Sequence, residues 1–107
     1  KADSLAAPLV VWEGSHKIMA EMFRAALTEV SPEQWPDIDL TEAYHAARQE
    51  VFNSCKRRVI HACPGQAYLL HRMALHGVSP WQSNAVASTD GRAIAYFRPE
   101  IPREKWL

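Results

Sequence analysis

The sequence has no surplus of charge of either sign: twelve Lys and Arg residues stand against twelve Asp and Glu. With no net field to draw in a polyanion, nucleic acid and anionic membrane surfaces are poor partners. Long apolar runs are also missing. "APLVVW" and "AYLL" fall far short of the roughly 20 residues that a membrane-crossing helix needs, and no stretch reads as a signal peptide. Cysteine is scarce, with only Cys55 and Cys63 present, which argues against a disulfide scaffold and for reduced thiols in a cytoplasmic protein. Internal repeats, low-complexity tracts and coiled-coil heptads are absent. The chain begins with Lys1 rather than Met and shows no tag-like or targeting composition before Ala7, so it reads as text that starts within a longer protein.

What is there is apolar enough to fold. A chain of 107 residues, 48% of them apolar, can bury one core but not two, so residues 1–107 are expected to form a single unit.

Along the chain, Leu9 to Trp12 is a β-branched and aromatic run closed by Gly14, the pattern of a buried strand. Ser15 is placed to cap a helix whose apolar positions are Ile18, Met19, Met22, Phe23, Ala26 and Leu27. "SPEQWPDID" is too rich in proline for more than a turn or one helical turn. Thr41 offers a second cap, with Glu42 well placed against the helix dipole, and "EAYHAARQEVFNSC" carries Ala43, Tyr44, Ala47, Val51 and Phe52 along one side. Residues 15–56 therefore read as a helical insertion. Beyond Arg57 the pattern turns to strands: "RRVIHAC", "QAYLLH", "ALHGVS" and, after a polar loop ending at Asp90-Gly91, "RAIAYFRP".

His76 stands out in this second half. It ends an apolar strand just before Gly77, where a neutral imidazole on a rigid support can serve as a metal ligand and the glycine permits close approach. A hydrogen-bonded core histidine is the plainer reading of that residue alone. Arg92 adds weight, because a guanidinium in an otherwise apolar strand calls for an anion, and its planar fork matches a carboxylate. A local pair with Asp90 is the plainer alternative. Zinc-capable types also occur at His61, Cys63, His71 and His76, in a spacing that matches no familiar zinc motif.

Three stretches, "APLVVWEGSH", "PGQAYLLHRMALHGVSPW" and "GRAIAYFRPE", resemble the C-terminal half of the phytanoyl-CoA dioxygenase family of iron(II)- and 2-oxoglutarate-dependent oxygenases. The resemblance runs from Ala7 to Glu100 and is carried chiefly by the second and third stretches. It implies that His76 is the distal iron ligand and that Arg92 binds the far carboxylate of 2-oxoglutarate. His71 becomes a neighbour of the site, and Trp12 and Trp81 become candidates for its lining. The implied chemistry is oxidative decarboxylation of 2-oxoglutarate to succinate, coupled to hydroxylation of a C–H bond in a small molecule.

Such a site needs two histidines and one carboxylate on the iron, and the family supplies the first two ligands as a His-x-Asp or His-x-Glu pair. The sequence has no such pair: its five histidines are followed two places on by Ile18, Ala47, Cys63, Met73 and Val78. The expectation is therefore a mainly β fold with inserted helices, the C-terminal portion of a double-stranded β-helix, or jelly roll. Its partner would be a missing N-terminal half or a second copy of the chain, because half a barrel leaves strand edges and an apolar face open. The rival expectation is a non-catalytic jelly-roll module that keeps the scaffold and binds a partner or a small acid.

Overall fold

The computed structural model describes residues 4–107; Lys1, on which the reading of the chain start rests, lies outside them. Strand β1, Leu9–Trp12, is the centre of a three-stranded antiparallel sheet. Strand β2, Arg57–Ile60, pairs on one side with Val10 opposite Val59; strand β3, His76–Val78, pairs on the other with Val11 opposite His76. The β1–β3 ladder continues past both ends of β3, through Trp12 N–H to the Leu75 carbonyl at 3.1 Å and Ser79 N–H to the Pro8 carbonyl at 2.9 Å. An isolated bridge between Ala6 and Trp81 extends it further.

Because cross-strand partners point to the same side of a sheet, Val10, Val59 and Gly77 share one face. Val11, Arg58 and His76 share the other, with Leu9, Ile60 and Val78. Val10 is buried, and Trp12, two residues on and so on the same face, packs into the helical core.

Two α-helices connect β1 to β2. Helix α1 spans Ser15–Leu27 and helix α2 spans Thr41–Ser54, with a 3-10 turn at Pro32–Asp37 between them. The expected apolar periodicity holds: Met19 of α1 meets Ala47 and Val51 of α2 in one buried cluster, flanked by Trp12, Met22, Phe23, Tyr44, Met73 and Leu75. Burying side chains of this size stabilises the fold by about 1.5–3 kcal/mol each. Phe52 lies at the margin, its ring centroid 5.1 Å from that of Trp12.

Both caps differ from the sequence expectation. Gly14, with φ +82°, occupies the cap position of α1, a conformation glycine adopts without steric cost. Ser15 is thereby drawn into the helix and fully buried, and its hydroxyl accepts the N–H of Leu75 at 2.8 Å instead of one from its own helix. At α2, Thr41 is already helical and Leu40 holds the cap position; Asp39, one residue earlier, accepts the Thr41 N–H at 2.9 Å through its carboxylate. The contact with Thr41 holds the Asp39 carboxyl below the usual carboxylate range. The far end of α1 is closed by Trp35, whose indole N–H donates to the Leu27 and Val30 carbonyls at 3.2 and 2.9 Å. Carbonyls at a helix end have no partner within the helix, and the indole supplies one.

After Ile60 the expected strands are only partly formed. "ALHGVS" yields β3, but residues 62–71 and 92–98 are not in strands, and β2 stops at Ile60 instead of reaching Cys63. A strand satisfies its backbone only through a neighbouring strand, and none of the described strands pairs with these two segments. Their apolar side chains stay in solvent: Leu69 is 97% exposed and Phe97 90%. A last 3-10 turn, Arg103–Lys105, lies near the end. The described residues thus form an α+β unit, one small antiparallel sheet with helices beside it, in which the α-helices hold more residues than the strands. Among the described residues, no helix is long and apolar enough to cross a membrane.

Candidate functional site

The position of His76 is set by two contacts remote in sequence. Pairing with Val11 fixes its backbone in the sheet, and the bond from Leu75 N–H to the buried Ser15 hydroxyl anchors the residue before it to the start of α1. The imidazole itself is exposed, and its Nδ1 lies 2.8 Å from the Ala74 carbonyl oxygen. A carbonyl only accepts, so Nδ1 carries the proton and Nε2 of the neutral ring keeps its lone pair. His76 borders a hollow of about 220 Å³ with Met19, Phe23, Tyr44, Arg72 and Met73.

His71 is set the opposite way. The Met73 N–H donates to its Nδ1 at 3.1 Å, which ties up the lone pair and leaves the proton on Nε2. Its ring lies against that of His16, centroids 4.9 Å apart. Of the two histidines in "HRMALH", His76 alone presents an unprotonated nitrogen to a ligand.

Arg92 lies on an unpaired, exposed segment. Its Nη1 donates to the Ala7 carbonyl at 3.1 Å and to the Ala6 carbonyl at 3.3 Å, where Ala7 holds a positive φ of 49°. The guanidinium is thus tied down ahead of β1, whereas His76 pairs near the strand's other end, and Arg92 is not part of the hollow beside His76. Trp12 belongs to the core, and Trp81 is exposed at the Ala6 bridge. The structure does not gather these two tryptophans around His76.

No group of three or more His, Cys, Asp or Glu side chains capable of holding a metal occurs among the described residues. This overturns the zinc alternative, since His61, Cys63, His71 and His76 do not converge; Cys55 and Cys63 are both free. It also decides the fit to iron(II): the described residues offer one suitably disposed imidazole, not a facial triad.

Charge around the sheet is modest. Glu13 and Arg58 form an exposed ion pair at 2.8 Å across β1 and β2, and the Arg58 guanidinium holds the Glu13 carboxyl below its ordinary range.

Sequence reasoning missed Tyr44, Phe23 and Arg72 beside His76, and the tie through Ser15. Arg72 and Met73 sit in the same motif as His76, but Phe23, Tyr44 and Ser15 come from remote segments whose meeting no local spacing signals. It missed as well a larger cleft bordered by Trp35 and Trp106. No family model matches the chain, and no curated protein or solved structure matches it either.

Proposed function

We propose that this chain is the part of an iron(II)- and 2-oxoglutarate-dependent oxygenase that supplies the distal histidine and the 2-oxoglutarate arginine, acting on a small molecule. One observation carries the reading: the Ala74 carbonyl sets the His76 tautomer so that Nε2 faces outward with its lone pair free. Metal-binding histidines are commonly oriented in this way, through a hydrogen bond from the other ring nitrogen to a backbone carbonyl.

The remaining ligands must come from outside the described residues, either from further chain or from a second copy, and the sheet face that bears His76, Val11 and Val78 is open to receive them. In a jelly roll a second sheet would cover that face. Arg92 would then give up two neutral carbonyls for a carboxylate, a charge-assisted and bidentate pairing stronger than the bonds it leaves. The chain's own contribution is to hold one ligand nitrogen, to bind the diacid's distal end and to help exclude water.

A second reading has its own support. The exposure of Leu69 and Phe97, with no three-donor group among the described residues, favours a non-catalytic jelly-roll module that recognises a protein partner.

The two readings separate in a cobalt(II) titration of the longest natural polypeptide containing these residues, with and without 2-oxoglutarate. The oxygenase reading expects a visible absorption band that 2-oxoglutarate shifts, lost in His76→Ala and unresponsive to the diacid in Arg92→Gln. Absence of any cobalt band in the unmodified polypeptide overturns it and leaves the module.

A further inference from the structure

The C-terminal end of α1, the Pro32–Asp37 turn and the last ten residues enclose an open cleft of about 960 Å³, within the size range of small-molecule sites. Its apolar walls include Phe23, Leu27, Trp35, Pro36 and Trp106. The two indoles lie 6.3 Å apart between centroids. Their N–H groups are already committed: Trp35 donates to the Leu27 and Val30 carbonyls, and Trp106 to the Ile101 carbonyl at 2.9 Å. Held in this way, neither indole has a hydrogen bond left for a ligand; Trp35 offers carbon surface, and Trp106 offers what the Arg103 guanidinium, 5.9 Å from its ring centroid, leaves uncovered.

Polarity comes from the charged residues on the walls, and it is one-sided. Arg72, Arg98 and Arg103 line the cleft against a single carboxylate side chain, that of Glu100, with the terminal residue Leu107 also at its border, in a chain whose overall charge is zero. Arg72 is anchored by the Lys105 and Trp106 carbonyls, and Arg103 by the Pro32 carbonyl at 3.1 Å. Each still has further N–H groups, since a guanidinium carries five. Arg98 lies over the Tyr96 ring at 5.5 Å, a contact that uses its face and leaves its edge for an anion.

We propose that this cleft binds a flat aromatic monoanion, an arylcarboxylate. The ring stacks on the indole walls and the carboxylate pairs with Arg98, assisted by Arg103. A flexible acyl chain fits less well, because an open cleft does not enclose it and its rotors would have to be ordered without that return. The cleft adjoins the hollow beside His76, with Phe23, Arg72 and Met73 bordering both, but binding there needs neither metal nor 2-oxoglutarate.

Calorimetric titration of the full 107-residue chain, free of metal, tests this with three probes: 2-naphthylacetate, its neutral counterpart 2-naphthaleneethanol, and decanoate. The acid should bind roughly tenfold more tightly than either of the others, the scale of one charge-assisted pair. Arg98→Gln should bring the acid down to the level of the alcohol while the alcohol is unaffected, and Trp106→Leu should weaken both naphthyl compounds. Circular dichroism of each variant checks that the fold is kept. Equal binding of acid and alcohol by the unmodified chain overturns the anion assignment, and equal binding of decanoate overturns the aromatic one. A folded Arg98→Gln chain with unchanged affinity removes Arg98 from the site.

Discussion

Residues 4–60 and 61–107 differ less in composition than in what their backbones have found to pair with. In the first stretch β1 pairs with β2, α1 and α2 bury Met19, Ala47 and Val51, and Trp35 closes the end of α1. The second contributes β3, which pairs with the other side of β1, and Met73 and Leu75, which pack on the core; much of the rest runs as exposed chain carrying Leu69, Tyr96 and Phe97 into solvent. A helix satisfies its own N–H and C=O groups and needs a neighbour only for its apolar stripe. A strand has no such independence, so strand-forming sequence without partner strands stays unpaired whatever its propensity.

The contrast can be broken most directly by truncating an apolar side chain in each region. Met19→Ala should cost about 2–5 kcal/mol in urea-induced unfolding, the range for buried methionine and leucine truncations, whereas Leu69→Ala should stay within about 0.5 kcal/mol. A comparable loss at both positions would mean that the segment around Leu69 has packing partners. Ser15→Ala should cost about 1–3 kcal/mol by leaving the Leu75 N–H without its acceptor. Hydrogen exchange should show the Leu75 amide losing protection before the α1 amides do. If α1 loosens first, the hydroxyl belongs to the helix and not to the junction between the two regions.

Trp35→Phe keeps an aromatic ring but removes the indole N–H from the α1 terminus. A loss of about 0.5–1.5 kcal/mol in thermal unfolding is expected. The smallest effect concerns Glu13 and Arg58. Because the folded-state pKa of Glu13 is depressed, its stabilising contribution is present above the unfolded carboxylate pKa and is lost as pH falls through the folded one. Acid titration of the β1 and β2 amides by NMR should therefore separate Glu13→Gln from the unmodified chain at neutral pH and merge the two at low pH. Both residues are exposed, so the separation should be slight.

How far the sequence could be read follows the same division. β1, both helices and the short turn between them were legible because local periodicity and punctuation specify them: Leu9 to Trp12 before Gly14, the Met19 and Val51 faces, the prolines at 32 and 36. The caps lie one residue earlier than expected, since Gly14 and Leu40 hold the positions assigned to Ser15 and Thr41. Residues 66–71 and 92–98 read as strands in the sequence but are not in strands in the structure. At the candidate site, His76 was visible as a histidine before glycine on an apolar strand. Its tautomer, its hollow and the attachment of Arg92 to Ala6 and Ala7 depend on contacts with Ala74, α1 and the approach to β1 that no spacing rule encodes.

The hydroxyl of Ser15 meets a group sixty residues further along the chain. During synthesis, α1 and α2 are translated before that group, so the Ser15 oxygen lacks its partner until Leu75 follows and the histidine strand can dock. The order in which the polypeptide is made thus has the helices wait for the segment that carries the candidate ligand.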